Sequence, residues 1–386
     1  MCCAHGAGLL GNAHPAIDEA LRKATEVGYA NAFETMYHYE LAKKLCECVP
    51  CADKIRFVSA GTEATMHLIR VCRGYTGKNK IIRIEGHFHG YHEMIYIGGQ
   101  PPENAFARNR VHPYIESAGI PQAFADLIIP IPFNDIDALA KAVQENKDDT
   151  ALVILEPINF NSGGIMPEPG YLEYLREITQ KNGVILFFDE IQSAFKNSAG
   201  GVQSDFGVIP DVCTIGKAIG GGFPLSPFCG RKEIMDHVKP IGNVQHSGTF
   251  NAALVPILTG LAFVDEAVKP EFYAKLQTLG AHLYSGLDAI IEKYEANMVI
   301  PRYGARFNIL LGRKTPAVRY EDTFCHSKET MFELIQGMME QGIYLHDYGG
   351  GPAHHGYSVQ HTPEDIDGVL SAFEHTVRSL KDQGKV

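Results

Sequence analysis

The sequence predicts an α/β fold: a large domain on a mainly parallel central sheet flanked by helices, followed by a smaller α+β domain. Three observations carry this reading. Up to Val264, short continuous apolar runs alternate with amphipathic stretches, the pattern of strands buried on both faces between helices. Several of these runs end in a polar or glycine-bearing step, where open parallel sheets gather their ligands. Beyond Val264 the texture changes to longer helical stretches with isolated apolar runs, as expected of a separate, smaller layer.

Helical periodicity begins with Ile17, Ala20, Leu21, Ala24 and Val27, with Pro15 near the start and Gly28 at the end. Ile55–Val58 is the first apolar run; it leads through Ser59-Ala60-Gly61-Thr62 into a helical stretch over Glu63–Arg73. Ile81–Ile84 closes on Glu85-Gly86. Ala151–Leu155 ends in Glu156-Pro157, and a helix with Tyr171, Leu172, Leu175 and Ile178 follows. Val184–Phe188 ends in Asp189-Glu190, and Val212–Ile215 in Gly216-Lys217. Phe272, Leu276, Leu279, Leu283, Leu287 and Ile290 mark a long amphipathic helix. An apolar run at Phe307–Leu311 and helices near Glu329–Glu340 and Pro363–Leu380 complete the chain. The division is an N-terminal segment over 1–45, a large domain over 46–265 and a small domain over 266–386, with a ligand between the two domains.

A chain of 386 residues with 45% hydrophobic and 20% charged residues excludes wholesale disorder. Its net charge of −11, with no basic block, argues against a nucleic-acid surface. Met1–Gly11 has no Lys or Arg ahead of its apolar piece and fails as a secretory signal. Within the uncharged stretch Pro240–Val264, the apolar part Ala252–Val264 contains Pro256 and is too short to span a bilayer. Nine cysteines in no pairing pattern fit reduced thiols. Cys46, Cys48 and Cys51 lie close together but have no fourth ligand nearby, so no metal is expected. The reading is a soluble, cytoplasmic protein with no membrane or nucleic-acid partner.

Four polar steps at strand ends carry chemistry. Gly61 and Thr62 sit where a strand meets a helix, where free N–H groups attract an anion such as phosphate or simply make a capped turn. No Gly-Lys-Ser/Thr follows, so this is not a P-loop. Glu156 is a second strand-end carboxylate. Asp189 directly follows five apolar residues, and a charge in so dry a place needs a partner; a protonated ring nitrogen would serve, as would a turn cap. If Asp189 opens a helix, Gln192 stands one turn away and reaches the same ligand. Lys217, between an apolar strand and Ala218-Ile219-Gly220-Gly221-Gly222, is a candidate for a desolvated, nucleophilic amine.

These residues also carry a family resemblance. Phe187-Phe188-Asp189-Glu190-Ile191-Gln192-Ser193, with Lys217 in Thr-Ile-Gly-Lys-Ala-Ile-Gly-Gly-Gly, resembles the signature of class III (subgroup II, fold type I) pyridoxal-phosphate aminotransferases. Ser59-Ala60-Gly61-Thr62-Glu63-Ala64 is similar to their phosphate loop, Glu85-Gly86-His87-Phe88-His89-Gly90 to their aromatic-His-Gly segment, and Gly248-Thr249-Phe250 to their Gly-Thr segment. Leu10-Gly11-Asn12-Ala13-His14-Pro15 matches an early motif, ahead of which the N-terminal segment looks shortened. Asn161 and Thr362-Pro363-Glu364-Asp365-Ile366-Asp367 are most similar to the glutamate-1-semialdehyde aminomutase branch.

The resemblance implies pyridoxal 5'-phosphate as cofactor. Lys217 would join its aldehyde as a Schiff base and move the proton. Asp189 would pair with the ring nitrogen, Gln192 would touch the phenolic oxygen, Phe88 would stack on the ring, and His89 would belong to the same site. Gly61 and Thr62 would bind the phosphate, and Thr249 would reach the cofactor of a neighbouring subunit in a homodimer. The implied activity moves an amino group between an amine or amino acid and an oxo acid; the alternatives are a 2,1-aminomutase and an inactive cofactor-binding paralogue. Outside these motifs, His87, His89 and His92 form an apparent triplet for which no metal is expected. His354-His355 reads as a solvent-exposed loop or a site edge, and Arg306 as a carboxylate anchor or half of an ion pair.

Overall fold

The computed structural model describes residues 1–29, 33–251 and 253–386; Ala252, the first residue of the long apolar stretch, lies outside them. The large domain's strands are β1 (Lys54–Arg56), β2 (Lys80–Ile84), β3 (Ile128–Ile131), β4 (Thr150–Leu155), β5 (Ile185–Glu190), β6 (Val212–Ile215) and β7 (Phe228–Gly230), aliphatic and aromatic at their centre in β4 and β5 and charged at β1. They make one sheet in the order β1-β7-β6-β5-β4-β2-β3. Neighbours from β6 across to β3 run parallel, while β7 is antiparallel to both β1 and β6. Both faces of this sheet are dry. Ile81, Leu152, Ile154, Ile185 and Phe187 pack into one core, while their sequence neighbours Ile82, Val153, Leu155, Leu186 and Phe188 pack into another. That alternation along apolar strands is what continuous hydrophobic runs encode.

The first strand differs from the expected Ile55–Val58 by ending at Arg56, and Asp189 and Glu190 continue β5 instead of opening a helix. Gln192 therefore follows Asp189 on a turn, not one helical turn above it. β3 and β7 were not anticipated. The former carries Pro130, which sits next to Arg83 at an edge where a missing N–H is tolerated; the latter is three residues long.

Helices cover the sheet. Pro15–Val27 starts on His14, whose Nδ1 accepts from the Ala16 N–H at 3.3 Å, and ends at Gly28. Leu254–Ala267 is apolar around most of its circumference because it is buried on most sides. Its Thr259 hydroxyl donates to the Gly220 carbonyl at 2.9 Å, tying this core helix to the turn that carries Lys217.

The last third builds small antiparallel pieces around Pro270–Lys293, Lys328–Glu340 and Pro363–Asp382. The final helix is opened by a capping box between Thr362 and Asp365. The strands are β8 (Met298–Val299), β9 (Arg302–Tyr303), β10 (Arg306–Asn308), β11 (Leu310–Leu311) and β12 (His354–Gly356), paired β12-β10-β9 and β11-β8. The run expected over Phe307–Leu311 is thus split between two sheets. His354 and His355, expected in an exposed loop, are instead fully buried on β12, with His354 opposite Asn308. Their rings find polar partners there: His354 Nδ1 faces Arg306 and its Nε2 the Tyr348 hydroxyl, and His355 Nδ1 accepts from the His346 N–H at 3.2 Å. Among the described residues no helix is long and apolar enough to cross a membrane.

Candidate active site

The registers Leu155↔Phe188 and Asp189↔Thr214 bring the carboxyl ends of β4, β5 and β6 side by side. A cleft of about 1010 Å³ opens there; Lys217, Asp189, Glu156, Gln192, Phe88, His89, Gly61 and Thr62 all line it. Segments separated by more than 150 residues in sequence, from Gly61 to Lys217, meet because each follows a strand of one sheet.

Lys217 heads a short 3-10 turn directly after β6 and has φ 52. A left-handed lysine costs about 1–2 kcal/mol, and such conformations concentrate where a side chain must be aimed. Its amine is pushed down to about 8, first by burial and then by the Arg306 guanidinium, against the pull of Glu156 and Asp189. A minor but far larger fraction of it than of a free lysine is therefore neutral and nucleophilic at neutral pH.

Asp189 is 4% exposed. Its Oδ1 accepts from the Thr214 hydroxyl at 2.9 Å and the Ile191 N–H at 3.2 Å; its Oδ2 lies 2.8 Å from His89 Nδ1. Burial lowers the basicity of His89, opposed by Asp189 itself. With a neutral ring, Nδ1–H donates to the carboxylate. Every partner of this buried anion is thus a neutral donor, and the charge itself is left for a ligand. His89 is a positioning residue behind Asp189.

Glu156, immediately after β4, is equally buried. Its Oε1 accepts from the Phe88 N–H at 2.8 Å and its Oε2 from the Asn161 amide at 2.9 Å. Burial pushes its carboxyl up to about 8, against those two bonds. It was visible in the sequence only as a strand-end carboxylate; here it fixes the loop that presents Phe88. Thr214, missed in the sequence, is recognisable in retrospect by its place beside Asp189 in adjoining strands.

The helix Gly61–Thr76 begins at the cleft, so its first amides lack intrahelical acceptors. Gly90 has φ 104, and a Cβ there would sit 2.8 Å from the Thr62 Cα and Oγ1, so the two loops approach as only glycine permits. Thr249 is exposed and is not among the residues lining this chain's cleft.

The histidine triplet is dispersed. His87 Nδ1 accepts from the Glu156 N–H, His89 faces Asp189, and His92 contacts the Thr65 hydroxyl at 3.2 Å. Cys51 leaves Cys46 and Cys48 to sit within 4.8 Å of Cys213 and Cys229 in the core. Arg306 has a histidine, not a carboxylate, as its side-chain partner.

The pocket fits a phosphorylated, cationic aromatic ring. Among the described residues neither polar atom of buried Gln192 has a partner, which costs free energy unless a ligand completes them. The unneutralised Asp189 asks for a cation, and the start of the helix at Gly61 and Thr62 favours an anion.

Comparisons agree with this geometry. Residues 1–377 match the aminotransferase class-III family. A glutamate-1-semialdehyde 2,1-aminomutase from Methanocaldococcus jannaschii is 36% identical over 383 residues, covering 98% of this chain and 87% of the relative. The crystal structure of an omega-transaminase from Sphaerobacter thermophilus superposes with a TM-score of 0.89 at 30% identity, covering 98% of this chain and 86% of that one. A transaminase with PLP bound shares the fold, with a TM-score of 0.87 at 24% identity over 100% of this chain and 87% of that one.

Proposed function

This chain belongs to the class-III aminotransferase family, and from that premise we propose that it moves amino groups between an amine or amino acid and an oxo acid, with pyridoxal phosphate as cofactor. The observation that carries the reading is the pairing, across one cleft, of a buried lysine of lowered basicity with a buried carboxylate that has neutral partners.

The cofactor, when bound, supplies an aldehyde for the amine and a ring that takes up the electrons released at the amine's carbon. Lys217 Nζ, its basicity lowered by burial, would be the group that holds the aldehyde and that carries a proton at the reacting carbon. Asp189, oriented by Thr214, Ile191 and His89, would keep a proton on the ring nitrogen by offering it a negative charge in a dry site. Gly61 and Thr62 would hold the phosphate, Gln192 would offer its amide to the ring's oxygen, and Phe88 would pack against the ring. In this reading the protein is a homodimer, with Thr249 serving the neighbouring subunit's cofactor.

The finer choice lies between transfer and rearrangement. The 30% identity to an omega-transaminase supports transfer. The 36% identity to an aminomutase supports an intramolecular 2,1-exchange as the second reading. Turnover of amino donors with and without added oxo acid separates them: transfer needs the acceptor and stops after one equivalent without it, whereas an aminomutase converts a vicinal amino aldehyde with no acceptor.

A pH dependence follows from Lys217. Cofactor capture by the unloaded chain is expected to accelerate as pH rises through about 8 and to level off above it, because only the neutral amine attacks. The near-visible band of the bound cofactor, followed after rapid mixing at several pH values, measures this; a rate independent of pH between 6 and 10 contradicts it.

A further inference from the structure

Three side chains able to ligate a metal meet at the rim of the cleft and take no part in the reading above. Cys2 Sγ, a ring nitrogen of His5 and a ring nitrogen of His346 lie within 4.8 Å of one another. His346 is 4% exposed, and among the described residues neither of its ring nitrogens has a hydrogen-bond partner. His5 is exposed and Cys2 half-buried. The rings of His5 and His346 meet edge to face, with centroids 4.0 Å apart. A buried nitrogen without a partner costs free energy, and a cation on the His346 lone pair would satisfy one of the two.

The backbone is shaped to bring the three together. Cys3, Ala4 and His5 take φ values of 46, 50 and 57. Residues with a Cβ rarely adopt such a left-handed run, and strain of this kind concentrates where a side chain must be aimed. Three hydrogen bonds hold the run in place. The Gly356 N–H donates to the Met1 carbonyl at 2.9 Å, the Cys3 thiol to the Gly356 carbonyl at 3.4 Å, and Lys196 Nζ to the Gly6 carbonyl at 2.6 Å. Burial, and then the charges of Lys217 and Arg306, lower the basicity of His5; burial, then His5 and Arg306, bring His346 down to about 4. Both rings are therefore neutral at neutral pH and keep a lone pair for a metal.

One thiolate and two imidazoles, with no carboxylate in the group, suit zinc and not magnesium or calcium. Around tetrahedral zinc such donor atoms stand about 3.3–3.6 Å apart, so Cys2 and His5 would close by about 1 Å onto the fixed His346. Three ligands leave the fourth position open. The site adjoins the chemistry. Ala7 and Tyr348 line the cleft, Tyr348 with its ring centroid 4.2 Å from that of His346. A Cβ on Gly6 would lie 2.8 Å from Gln192 Oε1. The Lys217 and Arg306 charges that reach both histidines oppose a cation here, so binding is reversible and not structural.

We propose that Cys2, His5 and His346 form a reversible zinc site at the rim of the cleft, and that the bound ion restrains this turn against Tyr348 and inhibits the enzyme. Binding releases the Cys2 thiol proton to solvent. The metal site stands without the amino-group reading above; the inhibition rests on it.

The test titrates reduced, cofactor-loaded wild type, freed of unbound cofactor, with zinc sulfate by calorimetry and with cobalt(II) as a spectroscopic probe, beside Cys2→Ser and His5→Asn. One equivalent of cobalt(II) should bring a sulfur-to-metal band and the strong visible bands of a four-coordinate site. Either substitution should weaken metal binding by more than about tenfold. Zinc should lower wild-type turnover at least about fivefold, a chelator should restore it, and each variant should keep its own zinc-free rate when zinc is added. Metal binding unchanged by both substitutions, as it would be if the ion sat on the core thiols Cys51, Cys213 and Cys229, would overturn the site, and so would no binding at millimolar zinc. A bound ion that leaves turnover undiminished would overturn the inhibition. If the loaded protein moves no amino groups, the amino-group reading falls and the inhibition with it, while the cobalt spectra still decide the metal site.

Discussion

Lys217→Ala is expected to lower turnover by at least about 10⁴-fold, because one side chain supplies both the nucleophile and the proton carrier. The variant should still bind pyridoxal phosphate through Asp189, Gln192, Gly61 and Thr62, with a weakened affinity and without the band shift that accompanies covalent attachment. Stability distinguishes lost chemistry from lost folding. In the unloaded wild type the Lys217 amine has its folded value near 8 against 10.5 when free. Below 8 both states hold the proton and burial penalises the fold; between the two values only the unfolded state holds it, so stability rises with pH. Lys217→Ala removes that slope and should be at least as stable as wild type at pH 7 in denaturant titrations. A variant that unfolds at neutral pH, or one that retains more than a hundredth of the wild-type rate, contradicts the assignment.

Asp189→Asn should lower kcat by about 10²–10³-fold, the scale on which removing one preorganised electrostatic partner acts. The change is nearly isosteric. An amide can still accept from Thr214 and Ile191 through its oxygen, while its nitrogen meets His89, whose ring can change tautomer to accept. What is lost is the negative charge that holds the ring nitrogen protonated. The loss should therefore fall on the proton-transfer step, with the amine's apparent affinity much less affected. Pre-steady-state spectra after mixing with donor read the two separately; an unchanged kcat would show that Asp189 only caps the turn.

Much of the sheet was legible because a strand dry on both faces has to be written as an uninterrupted apolar block. Ala151–Leu155 and Val184–Phe188 are such blocks, and the carboxylate after each, Glu156 or Asp189, lands at the cleft by the geometry of parallel strands. The signal failed where it was shorter or mixed. Phe228–Gly230 has three residues and runs against its neighbours, and neither length nor direction leaves a periodicity to read. Pro130 made an edge strand look like a break. Ile309 hides the point at which one apolar run changes partners. Side-chain pairings across long stretches of chain were out of reach altogether: His89 meets Asp189 one hundred residues away, and spacing says nothing about such a contact. The same holds for Arg306, His354 and Tyr348, whose relation depends on β10 and β12 lying in register. A buried histidine pair beside a glycine-rich segment has no sequence mark that separates it from an exposed loop.

The account depends on the Lys217 amine being the one that captures the cofactor. Borohydride reduction of the loaded protein, followed by proteolysis and mass spectrometry, tests it directly. The predicted result is a single pyridoxyl adduct on the peptide containing Lys217, abolished in Lys217→Ala. A stoichiometric adduct on another lysine, such as the buried Lys196, or the absence of any adduct in a protein that shows the cofactor band, would contradict it.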